Sequence, residues 1–239
     1  MLRAAVFLAL LPGMAQALCR DTVFEDAPYT VCEVAAGSDL RLFLNGPDGG
    51  PLGSFGAVSD LLSAQGENLA FAMNAGMYHA DRSPVGLYVQ DGATLAPVIT
   101  SDGPGNFGLL PNGVFCVGNV FAVIEARSFA AAPPACRYAT QSGPMLVIDG
   151  ALHPRFLPDS DSYNIRNGVG VTAEGTAVFA ISGSRVNFHT FARLFRDELA
   201  TPNALFLDGS ISRLYAPDLN RHDQGFPMGP IIGLVARGN

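Results

Sequence analysis

The chain has 239 residues, a formal net charge of −7, no tryptophan and no lysine, so its 14 basic residues are all arginine. Without lysine there is no Walker A loop and no Schiff-base chemistry, and the acidic balance offers no general electrostatic footprint for nucleic acid. A length of this order with 49% apolar residues suits one domain with a sizeable core.

Met1-Leu2-Arg3 is a short basic start, residues 4–11 are apolar, and Ala15-Gln16-Ala17 is an A-x-A cleavage site. That run is too short to cross a bilayer, and no later stretch reaches about 18 continuous apolar residues. Residues 1–17 therefore read as a cleavable signal peptide. Residues 18–239 read as one exported domain, periplasmic or secreted from a bacterium, with no membrane anchor. Four cysteines, Cys19, Cys32, Cys116 and Cys136, agree with an oxidising compartment. Their spacing does not resemble a zinc ribbon. Three pairings are open to them, of which nearest neighbours are favoured.

Strands are expected at 29–35 and 39–44, joined by a Gly-Ser turn, then a loop over 45–56 rich in glycine and proline. Helical spacing follows at 58–65, and a strand at 68–73 leads into Asn74. Hairpins are expected where 87–90 turns at Asp91-Gly92, 114–117 at Gly118-Asn119, and 145–148 at Asp149-Gly150. Segments 86–97 and 144–154 echo one another, as two hairpins of one grammar rather than a repeat array. Near the C-terminus a strand at 177–182 precedes a helix at 188–199 capped by Asn187. Phe188, Phe191, Ala192, Phe195 and Leu199 form its apolar stripe. Thr201-Pro202 stops that helix before a strand at 204–207, a pattern that predicts a right-handed parallel crossover. The fold class is α+β: a mixed, largely antiparallel sheet with several hairpins and one C-terminal βαβ crossover.

Four clusters set polar groups against glycine: Asn74-Ala75-Gly76-Met77, Gln141-Ser142-Gly143-Pro144, Arg166-Asn167-Gly168 and Asp208-Gly209-Ser210-Ile211-Ser212. Glycine permits sharp bends and close approach, so the clusters are expected to assemble one pocket from loops. Asp208 follows the apolar run Leu205-Phe206-Leu207, and a partly desolvated carboxylate there suits a base or nucleophile; the competing reading is a turn cap. The Arg166 guanidinium matches a phosphate or carboxylate, or else an internal ion pair. Asn74, Gln141 and Asn167 carry donor–acceptor groups suited to sugar hydroxyls, or equally to buried backbone. His79 is a candidate pocket wall or proton donor; His153, His189 and His222 lack tight metal spacing. Ser142 and Ser210 are not in G-x-S-x-G, which leaves a serine hydrolase a minor reading. Asp218, Asn220 and Asp223 could hold a cation, although solvated charge is the simpler reading because EF-hand order is lacking.

Taken in order, the four clusters resemble the phosphodiester glycosidase domain family over about residues 40–236. That family includes the lysosomal enzyme that uncovers mannose 6-phosphate by removing N-acetylglucosamine from a phosphodiester, and many exported bacterial proteins of undefined role. The similarity is greatest to the bacterial branch. One departure stands out: Ser210 and Ile211 replace the two inner glycines of the family's Asp-Gly-Gly-Gly-Ser. The resemblance implies hydrolysis of a glycosyl phosphodiester in an envelope or extracellular glycan, with Asp208, Arg166 and Gln141 as the catalytic set. It further implies Asn74, Gly76, His79, Ser142, Gly143, Asn167, Gly209, Ser210 and Ser212 as substrate-binding residues. No cofactor is identified, and a divalent cation stays open. The expected partner is a small-molecule or glycan phosphodiester, not nucleic acid, and the oligomeric state is open. The alternative is a non-catalytic glycan or exopolysaccharide binder, which a similar site would also serve.

Overall fold

The computed structural model describes residues 17–208 and 211–238. The signal-peptide reading of residues 1–17 thus lies, apart from Ala17, outside the described residues. In chain order the strands begin with β1 (Leu18–Phe24), β2 (Ala27–Val34), β3 (Leu40–Phe43), β4 (Glu67–Asn74), β5 (Tyr88–Gln90) and β6 (Ala93–Ala96). They continue with β7 (Gly113–Val117), β8 (Phe121–Glu125), β9 (Tyr138–Ser142), β10 (Met145–Ile148), β11 (Ala151–Leu152) and β12 (Asn167–Val171). The last are β13 (Ala177–Ser182), β14 (Asn203–Asp208), β15 (Leu214–Ala216), β16 (Arg221–His222) and β17 (Ile231–Arg237). Helices α1 (Phe55–Ser63), α2 (Ala126–Ala131) and α3 (Phe188–Arg193) lie between them.

These strands form three sheets, in the orders β1-β2-β13-β12-β14-β10-β11, β16-β15-β4-β17-β3 and β6-β5-β9-β7-β8. One core lies between all three, with Val34, Phe71, Phe115, Phe179, Leu205 and Leu234 among its members. Each sheet also packs a helix on its outer face. Phe55, Val58 and Leu62 of α1 cover the second sheet, Phe129 of α2 the third, and Phe191 and Ala192 of α3 the first. A strand buried on both faces reads as a continuous apolar run. Ala177-Val-Phe-Ala-Ile-Ser182 is such a strand: Phe179 and Ile181 enter the shared core, while Val178 and Ala180 meet α3.

The α+β reading holds, with few helices against predominantly antiparallel strands. The crossover takes a different form from a paired parallel unit. β13 and β14 both pair antiparallel with β12, which lies between them, so they run parallel to each other without sharing a ladder. Every ladder among the described strands is antiparallel, and in that detail the sheets are not mixed. Asn187 caps α3 by accepting the Thr190 N–H at 2.9 Å, and the apolar stripe continues through a π-helical turn, Leu194–Glu198. The 39–44 segment leaves the sheet of its predecessor: β2 pairs with β1 and β13, whereas β3 pairs with β17. Asp91-Gly92 and Asp149-Gly150 adopt left-handed φ at both turn positions, as two-residue hairpins demand. Cys19–Cys32 joins β1 to β2, and Cys116–Cys136 joins β7 to the segment entering β9.

Candidate functional site

Three of the four glycine clusters meet in one buried hydrogen-bond node, and the remaining cluster joins it through backbone contacts. Asn74 ends β4 in the second sheet; Asn167 opens β12 in the first, and Asp208 sits across from it at the end of β14. Asn74 Nδ2 donates to Asn167 Oδ1 at 3.3 Å, while Asn167 Nδ2 donates to Asn74 Oδ1 at 3.0 Å and to the Asn74 carbonyl at 3.2 Å. Each Oδ1 also accepts a backbone N–H: Asp208 N to Asn167 at 3.0 Å, Arg213 N to Asn74 at 2.9 Å. Those two backbone donors fix both amide orientations, since neither Nδ2 could accept from them. Ser212 Oγ donates to the Asp208 carbonyl at 2.8 Å, closing the loop against β14. Both amides are buried, so the pair staples two sheets and holds the main chain of the carboxylate-bearing loop at each end.

Strand β9 brings in the third sheet. The Gly76 N–H donates to Thr140 Oγ1 at 3.2 Å, and Ser142 Oγ donates to the Leu207 carbonyl at 2.6 Å. Glycine is required at 76 because a Cβ there would overlap the Gln141 carbonyl. Gln141 turns its own amide away from this junction. Oε1 accepts from Leu87 N at 3.0 Å and Ile99 N at 2.9 Å, and Nε2 donates to the Ile99 carbonyl and to Asn112 Oδ1. It therefore fastens the loop over 97–112, and Gly143 lies close against Asn112 of the same loop. His79 is exposed, in a hairpin held by its N–H donating to the Ser83 carbonyl at 2.8 Å. Gly209 and Ser210 lie outside the described residues.

Asp208 is 8% exposed at the end of β14. Its neighbour is Tyr78, four residues beyond Asn74, a residue the sequence reading passed over. Burial raises the Tyr78 phenol above its ordinary value, and the Asp208 charge raises it further, while Arg82 and Arg213 pull it down. Tyr78 thus stays a neutral hydroxyl donor through physiological pH, within electrostatic reach of one carboxylate and two guanidinium groups. Both missed residues flank motifs directly, Arg213 following Ser212, and that adjacency was the available signal.

Arg166 immediately precedes β12, and its side chain packs over Phe188 and Phe206, away from the Asn74–Asn167 pair. It is fully enclosed, at 0% exposure, with its guanidinium carbon 3.6 Å from the Phe188 ring centroid. Nε donates to the Val186 carbonyl at 2.9 Å and Nη2 to the Ser162 carbonyl at 2.7 Å, while Nη1 has no hydrogen-bond partner. Burial pushes its pKa down to about 10. None of the ion pairs among the described residues includes it. Phe156 stacks on Phe188 at 5.0 Å, and His153 on Phe156 at 4.7 Å. His153 Nδ1 accepts the Arg155 N–H and burial lowers its pKa, which makes this a neutral structural imidazole.

Asp223 is committed to Arg221 at 2.9 Å and accepts from Leu214 N. Among the described residues no group of three or more His, Cys, Asp or Glu is placed to hold a metal ion. A cavity of about 380 Å³ opens beside β1 and β2, lined by Asp21, Tyr29, Thr30 and Gly183; it contains none of the motif residues, so the chemistry argues for the Asp208 region instead.

The phosphodiester glycosidase family profile matches residues 67–234, a span containing all four clusters. The uncharacterized protein YigE of Escherichia coli strain K12 is 32% identical over 99% of this chain and 93% of its own length. Among solved structures, the catalytic domain of zebrafish N-acetylglucosamine-1-phosphodiester alpha-N-acetylglucosaminidase, auto-inhibited by its pro-peptide, superposes with a TM-score of 0.61. It is 12% identical, over 97% of this chain and 86% of that one. A hypothetical protein from Synechocystis gives 0.59 at 15% identity over 92% of this chain and 62% of that one. A protein of Burkholderia pseudomallei K96243 gives 0.55 at 12% identity, over 87% and 74% of the two chains. These likenesses carry the fold, and the match over residues 67–234 together with the E. coli relative carries the family. The chain belongs to the phosphodiester glycosidase family.

Proposed function

We propose that this chain is an exported hydrolase that cleaves the glycosidic C–O bond of a glycosyl phosphodiester in an envelope or extracellular glycan. The observation that carries the reading is the position of Asp208, an enclosed carboxylate at a strand end. Its main chain is pinned through Asn167 to Asn74, within a span matched by the family. Asp208 assists attack at the anomeric carbon, as nucleophile or as base for water. The leaving group is a phosphate monoester, already weakly basic, so the reaction needs less from a general acid than ordinary glycoside hydrolysis does. Arg166, sealed from solvent, does not reach the phosphate and acts by tying the Ser162 and Val186 carbonyls beside Asn167. Asn74, Asn167, Gln141 and Ser142 act by holding the loops rather than by touching sugar, because their side chains are occupied within the protein. The two disulfides support a compartment outside the cytoplasm.

The zebrafish relative's name makes N-acetylglucosamine-1-phosphodiesters the first substrates to try. Methyl N-acetylglucosaminyl phosphate is incubated with the protein in ¹⁸O-water, and the products are weighed by mass spectrometry. Label in the free sugar, with unlabelled methyl phosphate, agrees with the proposal. Label in the phosphate would move the reaction to phosphorus. Saturable binding of the same compound without any product would replace catalysis by glycan binding.

A further inference from the structure

Loop residues 225–229 and the hairpin around Tyr78–Pro84 pack against one another, each holding an arginine, and Tyr78 feels the charge of Asp208. The Arg213 side chain is nearly buried, and its Nη1 donates to the Phe226 carbonyl. Gly225, at φ 150°, leaves the space that its guanidinium occupies, where a Cβ would collide with Nη2. The main chain of Arg213 is tied to Asn74 Oδ1, so this guanidinium is positioned from the same node that positions Asp208. Across the loop, the Tyr78 ring lies on Gly229, with no room for a Cβ between them. Tyr78 bridges to Pro84, and the hairpin carries Arg82 back over the Tyr78 ring, 5.3 Å from its centroid. Arg82 reaches that place with a left-handed φ of 74°, a conformation uncommon for a side chain other than glycine, Asn or Asp. None of the ion pairs among the described residues includes Arg82 or Arg213, in a chain with 21 acidic side chains.

We infer that Arg213 and Arg82, together with the Tyr78 hydroxyl, form an anion clamp that holds the phosphate of the substrate beside Asp208. The choice of a phosphodiester as ligand rests on the proposed hydrolase reading; the clamp itself rests on the placement of these three side chains. Arg166 cannot take this task in the described conformation, because it is fully enclosed. The Tyr78 phenol, kept protonated by burial and by Asp208, donates to the anion rather than competing with it. Two guanidinium groups and one hydroxyl suit a singly charged diester oxygen pair.

The test is an NMR titration at low ionic strength with three probes: dimethyl phosphate, inorganic phosphate and the neutral methyl N-acetylglucosaminide. Wild type, Arg82→Gln, Arg213→Gln and Arg213→Lys are compared. A lost charge-assisted hydrogen bond corresponds to about tenfold to a hundredfold in Kd. Each Gln variant is expected to weaken dimethyl phosphate by that factor, with methyl N-acetylglucosaminide unaffected and Arg213→Lys recovering part of the loss. Arg82 lies at the surface of its hairpin, so Arg82→Gln keeps the test decisive if Arg213→Gln does not fold. Undiminished dimethyl phosphate binding in Arg82→Gln and in whichever Arg213 variant folds, or no saturable binding by wild type, overturns the clamp. Turnover of methyl N-acetylglucosaminyl phosphate is read separately. Binding that depends on the arginines without turnover removes the hydrolase and keeps the clamp, whereas turnover indifferent to both arginines does the reverse.

Discussion

Replacing Asn167 with alanine removes the centre of the node. The Asp208 N–H and the Asn74 Nδ2 lose their acceptor, and the Asn74 carbonyl loses a donor, all in a region closed to solvent. Arg213 N still satisfies Asn74 Oδ1, and Ser212 Oγ, which loses a 3.4 Å contact to Asn167 Oδ1, keeps the Asp208 and Ile165 carbonyls. An orphaned buried donor costs about 1–3 kcal/mol, and two of them make a loss of about 2–6 kcal/mol. For a domain of this size that is a fall in Tm of roughly 4–24 °C. Urea unfolding of Asn167→Ala, Asn74→Ala and the double variant would measure it. Because the two amides serve each other, the double variant should be more stable than the summed single losses imply, by about 1–2 kcal/mol. An Asn167→Ala loss below about 1 kcal/mol, or additivity within about 0.5 kcal/mol, would refute the staple.

Arg166→Met should leave stability within about 2 kcal/mol of wild type and activity within about tenfold, because the guanidinium is sealed from substrate and its pKa, pushed down to about 10, marks a desolvation cost that it carries at neutral pH. A loss above about 4 kcal/mol would refute that balance. The paired variant Cys116→Ser with Cys136→Ser opens a cross-link worth about 3 kcal/mol, and differential scanning fluorimetry should show a Tm lower by roughly 6–12 °C. Glu67 donates nothing but accepts from Arg41, which holds its carboxyl below the ordinary value of 4.5. Its contribution is therefore present above pH 4.5 and is lost as pH falls through the depressed folded value, so Glu67→Gln should flatten the acid limb of a stability–pH profile. An unchanged acid limb would remove Glu67 from the account.

Local chemistry explains which features were readable in advance. Asp91-Gly92 and Asp149-Gly150 announce hairpins through two left-handed positions, and the Asn187 cap with its stripe of phenylalanines announces α3. The glycine clusters were readable as a group, because close approach of three sheets demands residues without a Cβ. Strand order was not, since β4 pairs with β15 and β17 from the far end of the chain, and short-range patterning holds no record of such partners. The same distance hid how the polar clusters divide their work. Gln141 sits in a motif beside the node, yet its amide serves Ile99, 42 residues away. Tyr78 and Arg213 carry no motif signature of their own, and their role emerges only when the 225–229 loop is folded against them.

The most direct measurement is kcat for methyl N-acetylglucosaminyl phosphate in wild type and Asp208→Asn, with circular dichroism confirming that both are folded. The isosteric amide preserves shape and removes the carboxylate, so kcat is expected to fall by about 10²–10⁴-fold or more while the fold is retained. An Asp208→Asn protein that turns over this substrate at the wild-type rate would contradict the account.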